Sequence, residues 1–168
     1  MQRRFLLTLS AAGTALALAG CGFELRKAPN FPFKTIYIPY SEGTALGIEL
    51  RRSLESGGNV RVITDSRFLD QADVVLDVVS ETREKIVVSR NAAGLVREFQ
   101  LRLRFVFRLR SAKGRELIPN AEILQQRDIS FNESAVLAKE SEEALLYREM
   151  QSDTVQQIMR RLAAVTEI

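Results

Sequence analysis

Four sets of side chains in this sequence have the type and spacing to do chemistry. Arg102, Arg104, Arg108 and Arg110 fall on alternate positions, a row of guanidinium groups suited to gripping an anion. Glu140, Glu142 and Glu143 gather carboxylates of the kind that elsewhere share a proton or hold a metal. Arg90 and Lys139 are single cations, each close to a predicted reversal of the chain, and Cys21 is the lone thiol. What is missing is as informative. Among 168 residues there is no His and no Trp. A Ser-His-Asp or Cys-His nucleophile is therefore excluded, as is any imidazole metal ligand or side chain titrating unperturbed near neutrality. One Cys makes neither an intramolecular disulfide nor a thiolate zinc site.

The lone Cys is accounted for by what precedes it. Arg3 and Arg4 form a positive start, an apolar run follows from Phe5 to Leu18, and small residues lead to Leu18-Ala19-Gly20-Cys21. The pattern is that of a secretory leader, with an apolar run short of the ~20 residues that span a bilayer. Its last four residues resemble the bacterial lipobox. That resemblance implies cleavage before Cys21 and acylation of its thiol and freed amine. Residues 1–20 are thus expected to be a lipoprotein signal peptide and 21–33 an acylated Cys and tether containing Pro29 and Pro32. A single domain is expected over 34–168. Several acyl chains on one residue anchor stably, at ~0.8 kcal/mol per buried CH₂. Gly22 rather than Asp follows the Cys, which favours an outer-membrane address. Loss of the leader removes two Arg from 24 basic residues and no acid, leaving 22 against 21. Net charge then gives little support to nucleic-acid binding.

The elements that must position these groups can be read from periodicity. Lys34–Pro39 and Val60–Thr64 are short strands, and Leu46, Leu50 and Leu54 mark a helix over Thr44–Ser56, stopped by Gly57-Gly58. Long strands are predicted over Val74–Ser89, Val96–Arg110 and Glu116–Phe131, and a final helix over Ser134–Ala164. In the middle strand Phe99, Leu101, Leu103, Phe105, Phe107 and Leu109 alternate with the arginines, the period-two mark of a sheet with one buried and one wet face. Asn91-Ala92-Ala93-Gly94 and Ser111-Ala112-Lys113-Gly114 are the hairpin links, each ending in a Gly free to take positive φ. The last helix places Leu145, Val155, Ile158, Met159 and Leu162 on a stripe that would cover the sheet. The fold expected is α+β: two helices packed on one face of a mostly antiparallel mixed sheet, a two-layer sandwich.

This topology sends the third long strand parallel to the first, so its end should meet the first hairpin's tip. Arg90 and Lys139 should then share one end of the molecule, remote from Lys113 and Arg115. The arginine row has a plainer reading. Asp77 and Glu81 on the preceding strand and Glu116 and Glu122 on the following one fall near positions opposite it, giving cross-strand ion pairs. Aromatic groups for stacking nucleic-acid bases are absent from that face. The Glu140, Glu142 and Glu143 cluster reads as a solvated helix face, with Lys139 and Glu143 an i,i+4 pair.

Several stretches together resemble one family: Cys21-Gly22-Phe23-Glu24-Leu25-Arg26, Arg97-Glu98-Phe99-Gln100-Leu101, Leu137-Ala138-Lys139-Glu140, Glu149-Met150 and Ile158-Met159-Arg160-Arg161-Leu162. Their order and spacing are similar to those of the lipopolysaccharide-assembly lipoproteins LptE, also called rare lipoprotein B. The resemblance implies a noncatalytic lipoprotein of the outer membrane's periplasmic face, needing no cofactor and no metal. It would sit as a plug inside the β-barrel LptD, assist that barrel's assembly and bind lipopolysaccharide during export. It also implies lipopolysaccharide-binding roles for Arg90 and Lys139. The sequence departs from the family at Glu24 and in its longer turn after Arg90. A competing reading is an envelope scaffold that docks proteins through the arginine row without binding lipopolysaccharide.

Overall fold

The computed structural model describes residues 29–39, 43–58 and 60–168. Strands β1 (Thr35–Tyr37) and β2 (Arg61–Ile63) pair in parallel, joined through helix α1 (Ala45–Gly58). Three long strands follow, β3 (Val74–Arg90), β4 (Val96–Ser111) and β5 (Glu116–Ser130), and helix α2 (Val136–Ala163) closes the fold. The five-stranded sheet runs β2-β1-β3-β4-β5, with β1 parallel to β3 and the long strands antiparallel. This is the α+β architecture expected, a mostly antiparallel sheet with its helices on one side.

Local chemistry explains the element boundaries. The Thr44 hydroxyl accepts from the Gly47 amide at 3.0 Å and so caps α1. Gly94 and Gly114 close the two hairpins at φ 79° and 88°, a region costly to any residue with a Cβ. Leu46, Leu50 and Leu54 of α1 and Val155, Ile158 and Leu162 of α2 are fully buried with Phe105, Phe107 and Leu109 of β4 in one core. Each such side chain contributes roughly 1.5–3 kcal/mol relative to exposure. A second cluster higher along the strands joins Leu101, Leu103 and Ile129 to Met150.

Three sequence expectations need correcting. Phe31 and Phe33, in the segment read as tether, stack at 5.4 Å and are buried in the main core. Leu145, placed on the core stripe of the last helix, is 47% exposed; burial on α2 begins only at Met150. Glu81, expected on the wet face, lies on the helix-covered one. The cause is a bulge: the β3–β4 register passes from Val78↔Phe107 to Ser80↔Val106, skipping Val79. One unpaired residue inverts the side chains that follow, as far as the next register shift after Val87. Glu81, Arg83 and Lys85 thus come opposite the inward-facing Phe105, Leu103 and Leu101.

Asp73 fastens β1 to the start of β3. Its Oδ2 accepts the amides of Lys34 and Thr35, both at 2.9 Å, while its own amide donates to the Thr35 hydroxyl at 2.8 Å. Partial desolvation pushes its pKa up, but these hydrogen bonds and the Lys34 charge outweigh it and hold the carboxyl below the usual Asp range. A carboxylate whose folded pKa is depressed gives stability that is present above its unfolded pKa and lost as pH falls through the folded value. Asp73→Asn is expected to cost about 1–2 kcal/mol at neutral pH. It should also flatten the acid limb of stability against pH in urea melts, and an unchanged acid limb would refute the role.

A cationic end as candidate ligand site

The strand register brings the predicted pair of cations to one end. Arg90 lies opposite Val96 where β3 meets β4, and Ser130 at the end of β5 lies opposite Glu98 two residues further along β4. Between β3 and β4 the turn is locked by Asn91, whose side-chain oxygen accepts the amides of Ala93 at 3.0 Å and Leu95 at 2.9 Å. Arg90 lays its guanidinium on the Gly94 carbonyl at 3.1 Å, is exposed, and has no ion pair among the described residues.

On the other flank, the Asn132 side-chain oxygen accepts from the Ser134 amide at 3.0 Å and turns the chain into α2. Lys139, one turn on, donates from Nζ to the Ser130 hydroxyl at 3.0 Å and to Glu142 at 2.8 Å. The expected Lys139–Glu143 pair is replaced by this i,i+3 pair, because Glu143 turns toward the sheet and meets Lys85 at 2.6 Å. Two members of the predicted acidic cluster are therefore counter-ions of lysines, and among the described residues no cluster could hold a metal. A cavity of about 250 Å³ opens between β4, β5 and the start of α2, lined by Phe99, Ile129, Phe131 and Val136 with Lys85 and Lys139; Arg90 is not part of its wall.

Lys85 is the cation that sequence reasoning missed. Its Nζ sits 4.4 Å from the Phe99 ring centroid, on the inner face, only because of the bulge. No sequence signal marked the bulge, since Val74-Val75 and Val87-Val88 on the same strand are doubled like Val78-Val79. Below it, Arg83 lies 5.5 Å from the Tyr147 ring centroid, donates to Gln151 at 3.3 Å and pairs with Glu81 at 3.5 Å. The Tyr147 hydroxyl donates to the Glu84 carbonyl at 2.8 Å. Burial pushes the Tyr147 pKa up, the Glu143 charge adds to that, and Arg83 partly opposes it. The upper half of α2 is thus held to the sheet by these polar contacts together with partly buried Leu146 and Tyr147, which pack on the second cluster.

On the opposite face the arginine row is mostly paired within the protein. Arg108 and Arg110 share Asp77 at 3.1 and 3.0 Å, and Arg104 meets Glu122 at 3.3 Å. Arg102 donates to Gln100 at 2.8 Å instead of to an acid. Glu116 is the register partner of Arg110, as expected, but the ion pair goes to Asp77.

The family model for lipopolysaccharide assembly, LptE, matches residues 33–162 of this chain. The chain belongs to the LptE family. Among LptE relatives, the LPS-assembly lipoprotein of Yersinia pestis (strain Pestoides F) is 29% identical over 98% of this chain and 78% of its own length. The solution structure of an uncharacterized lipoprotein B from Nitrosomonas europaea superimposes with a TM-score of 0.73 at 35% identity, covering 85% of this chain and 91% of that one. The crystal structure of rare lipoprotein B from Shewanella oneidensis shares the fold at 22% identity and a TM-score of 0.64, covering 77% and 94%. Among the described residues of this LptE chain, no helix is long and apolar enough to cross a membrane.

Proposed function

We propose that this LptE chain is a noncatalytic outer-membrane lipoprotein that binds lipopolysaccharide and occupies the lumen of the LptD barrel, assisting its assembly on the periplasmic face. In this reading residues 1–20 are the signal peptide, Cys21 carries the acyl chains, the residues after it lead out from the anchor, and the domain takes in Phe31 and Phe33 together with 34–168. Arg90 and Lys139 contact the ligand. The observation that carries the reading is the pair of cations at one end, surrounded by exposed Leu95, Val136 and Leu137. The lipid A part of the ligand has phosphates beside acyl chains, so cations amid apolar surface complement it; the phosphates take charge-assisted hydrogen bonds, strongest at a planar guanidinium. Pro29, the first described residue, lies beside the last turns of both helices, at the end away from the two cations.

Two measurements test it. Tagged chain extracted in mild detergent is expected to bring down LptD in a one-to-one complex, and its absence would sink the plug reading. A soluble form lacking residues 1–21 is expected to retain lipopolysaccharide in pull-down. The second reading, a scaffold docking through the sheet's uncovered face, draws on Val79 and Leu124 exposed there; it predicts the protein complex without any lipopolysaccharide retained.

A further inference from the structure

We propose that the cavity between the start of α2 and the upper ends of β4 and β5 takes one acyl chain of a phosphorylated glycolipid, with Lys85 and Lys139 holding the adjoining phosphate. The inference rests on the lipopolysaccharide reading for the identity of the glycolipid, but the pocket itself stands on its own geometry. Its floor is apolar: Ile129 is 4% exposed, and Phe99 and Phe131 meet edge to face at 5.3 Å. Val136 forms a wall. At about 250 Å³ the space is below that of pockets enclosing whole drug-sized ligands, about 300–1,000 Å³, so it suits a stretch of one alkyl chain with the headgroup left outside.

The rim carries both signs of charge, Lys85 and Lys139 beside the carboxylates Glu140 and Glu143, and a phosphate must displace the carboxylates to reach the lysines. Lys85 and Lys139 stand at the opening, each neutralised by a carboxylate from α2, Glu143 at 2.6 Å and Glu142 at 2.8 Å. Both pairs are partly exposed and therefore weak, so an arriving phosphate can exchange with the carboxylates at little cost. At the same end of the molecule Val87, Val88, Leu95, Val136 and Leu137 expose apolar surface, Leu137 to 80%. Such a patch gathered at one end of a domain marks an interaction site. The helix above the cavity has no fully buried residue before Met150, so widening the cavity disturbs partly buried contacts at the edge of the second cluster and leaves the main core closed.

The test uses the soluble form lacking residues 1–21, since residues 29–168 contain all three core clusters, with thermal melts as the folding control. The probe is dodecyl phosphate below its micelle concentration, read by methyl NMR. Saturable shifts at Ile129 and Val136 are expected, and none from inorganic phosphate. Val136→Trp, which fills the cavity from a position 41% exposed, should weaken dodecyl phosphate about tenfold. Lys85→Gln should do likewise through loss of one charge-assisted bond. Unchanged affinity in folded Val136→Trp, or shifts confined to the arginine face, would overturn the pocket. A wild-type domain that takes dodecyl phosphate at Ile129 yet ignores lipopolysaccharide would support the pocket and overturn the function reading instead.

Discussion

Replacing Phe107 with Ala is expected to destabilise the domain by about 3–5 kcal/mol and to lower its melting temperature by roughly 10 °C. Phe107 is fully buried in the second half of β4, flanked in register by Val78 and Ala121, with its ring 6.0 Å from that of Phe105. Truncation leaves a void that both strands and helices would have to collapse into, and the packed leucines of α1 and α2 leave little freedom for that. The same strand supplies its own control. Arg104 faces the other way, its side chain 44% exposed and paired with Glu122 at 3.3 Å. Arg104→Ala is expected to cost under ~1 kcal/mol. Parallel urea and thermal melts of the two variants check the contrast; similar losses in both would mean that β4 does not separate a core face from a wet face.

Reversing the two cations, Arg90→Glu with Lys139→Glu, is expected to lower lipopolysaccharide affinity of the soluble domain by about a hundredfold or more. A hydrogen bond to a charged group contributes ~1.5–3 kcal/mol, two are lost, and repulsion from the phosphates is added. Folding should be nearly unaffected. Arg90 bonds only the Gly94 carbonyl among its described partners, and Lys139 bonds Ser130 and Glu142 at the surface. Reversal of Lys113 and Arg115, exposed at the second hairpin, should leave affinity within about twofold because no ligand phosphate is placed there. Titration of immobilised lipopolysaccharide at two salt concentrations reads both effects. A folded Arg90/Lys139 double variant with wild-type affinity would remove these residues from the site.

Legibility of the fold varied with how local its causes were. The alternation from Phe99 to Leu109 identified β4 and both its faces without any knowledge of neighbours. Gly94 and Gly114 marked the hairpins, and those hairpins were enough to carry Arg90 and Ser130 to one end. Asp77 and Glu122 were found opposite the arginines because register can be counted back from a turn. Counting failed at Val79, where one extra residue changed the parity, so Glu81 was assigned to water and Lys85 was overlooked. Leu145 failed for another reason: α2 outruns the sheet's apolar surface, and helical period alone does not say where the covering ends. Phe31 and Phe33 were hidden by Pro29 and Pro32, which read as linker although the rings beside them are core. The rim of the candidate pocket depends on Lys85 and Glu143 meeting across 58 residues of chain, a contact that no motif records.

The placement of Pro29 and the cations at opposite ends also fixes a length scale. β3 alone has 17 residues, and at ~3.3 Å per residue it is roughly 50 Å long. A bilayer with its headgroups is about 40–45 Å thick. The strands are therefore long enough to carry the cationic end a membrane's full thickness away from the Pro29 end. Under the proposed anchoring at Cys21 the strands work as a rigid spacer that keeps Arg90 and Lys139 far from the acylated end.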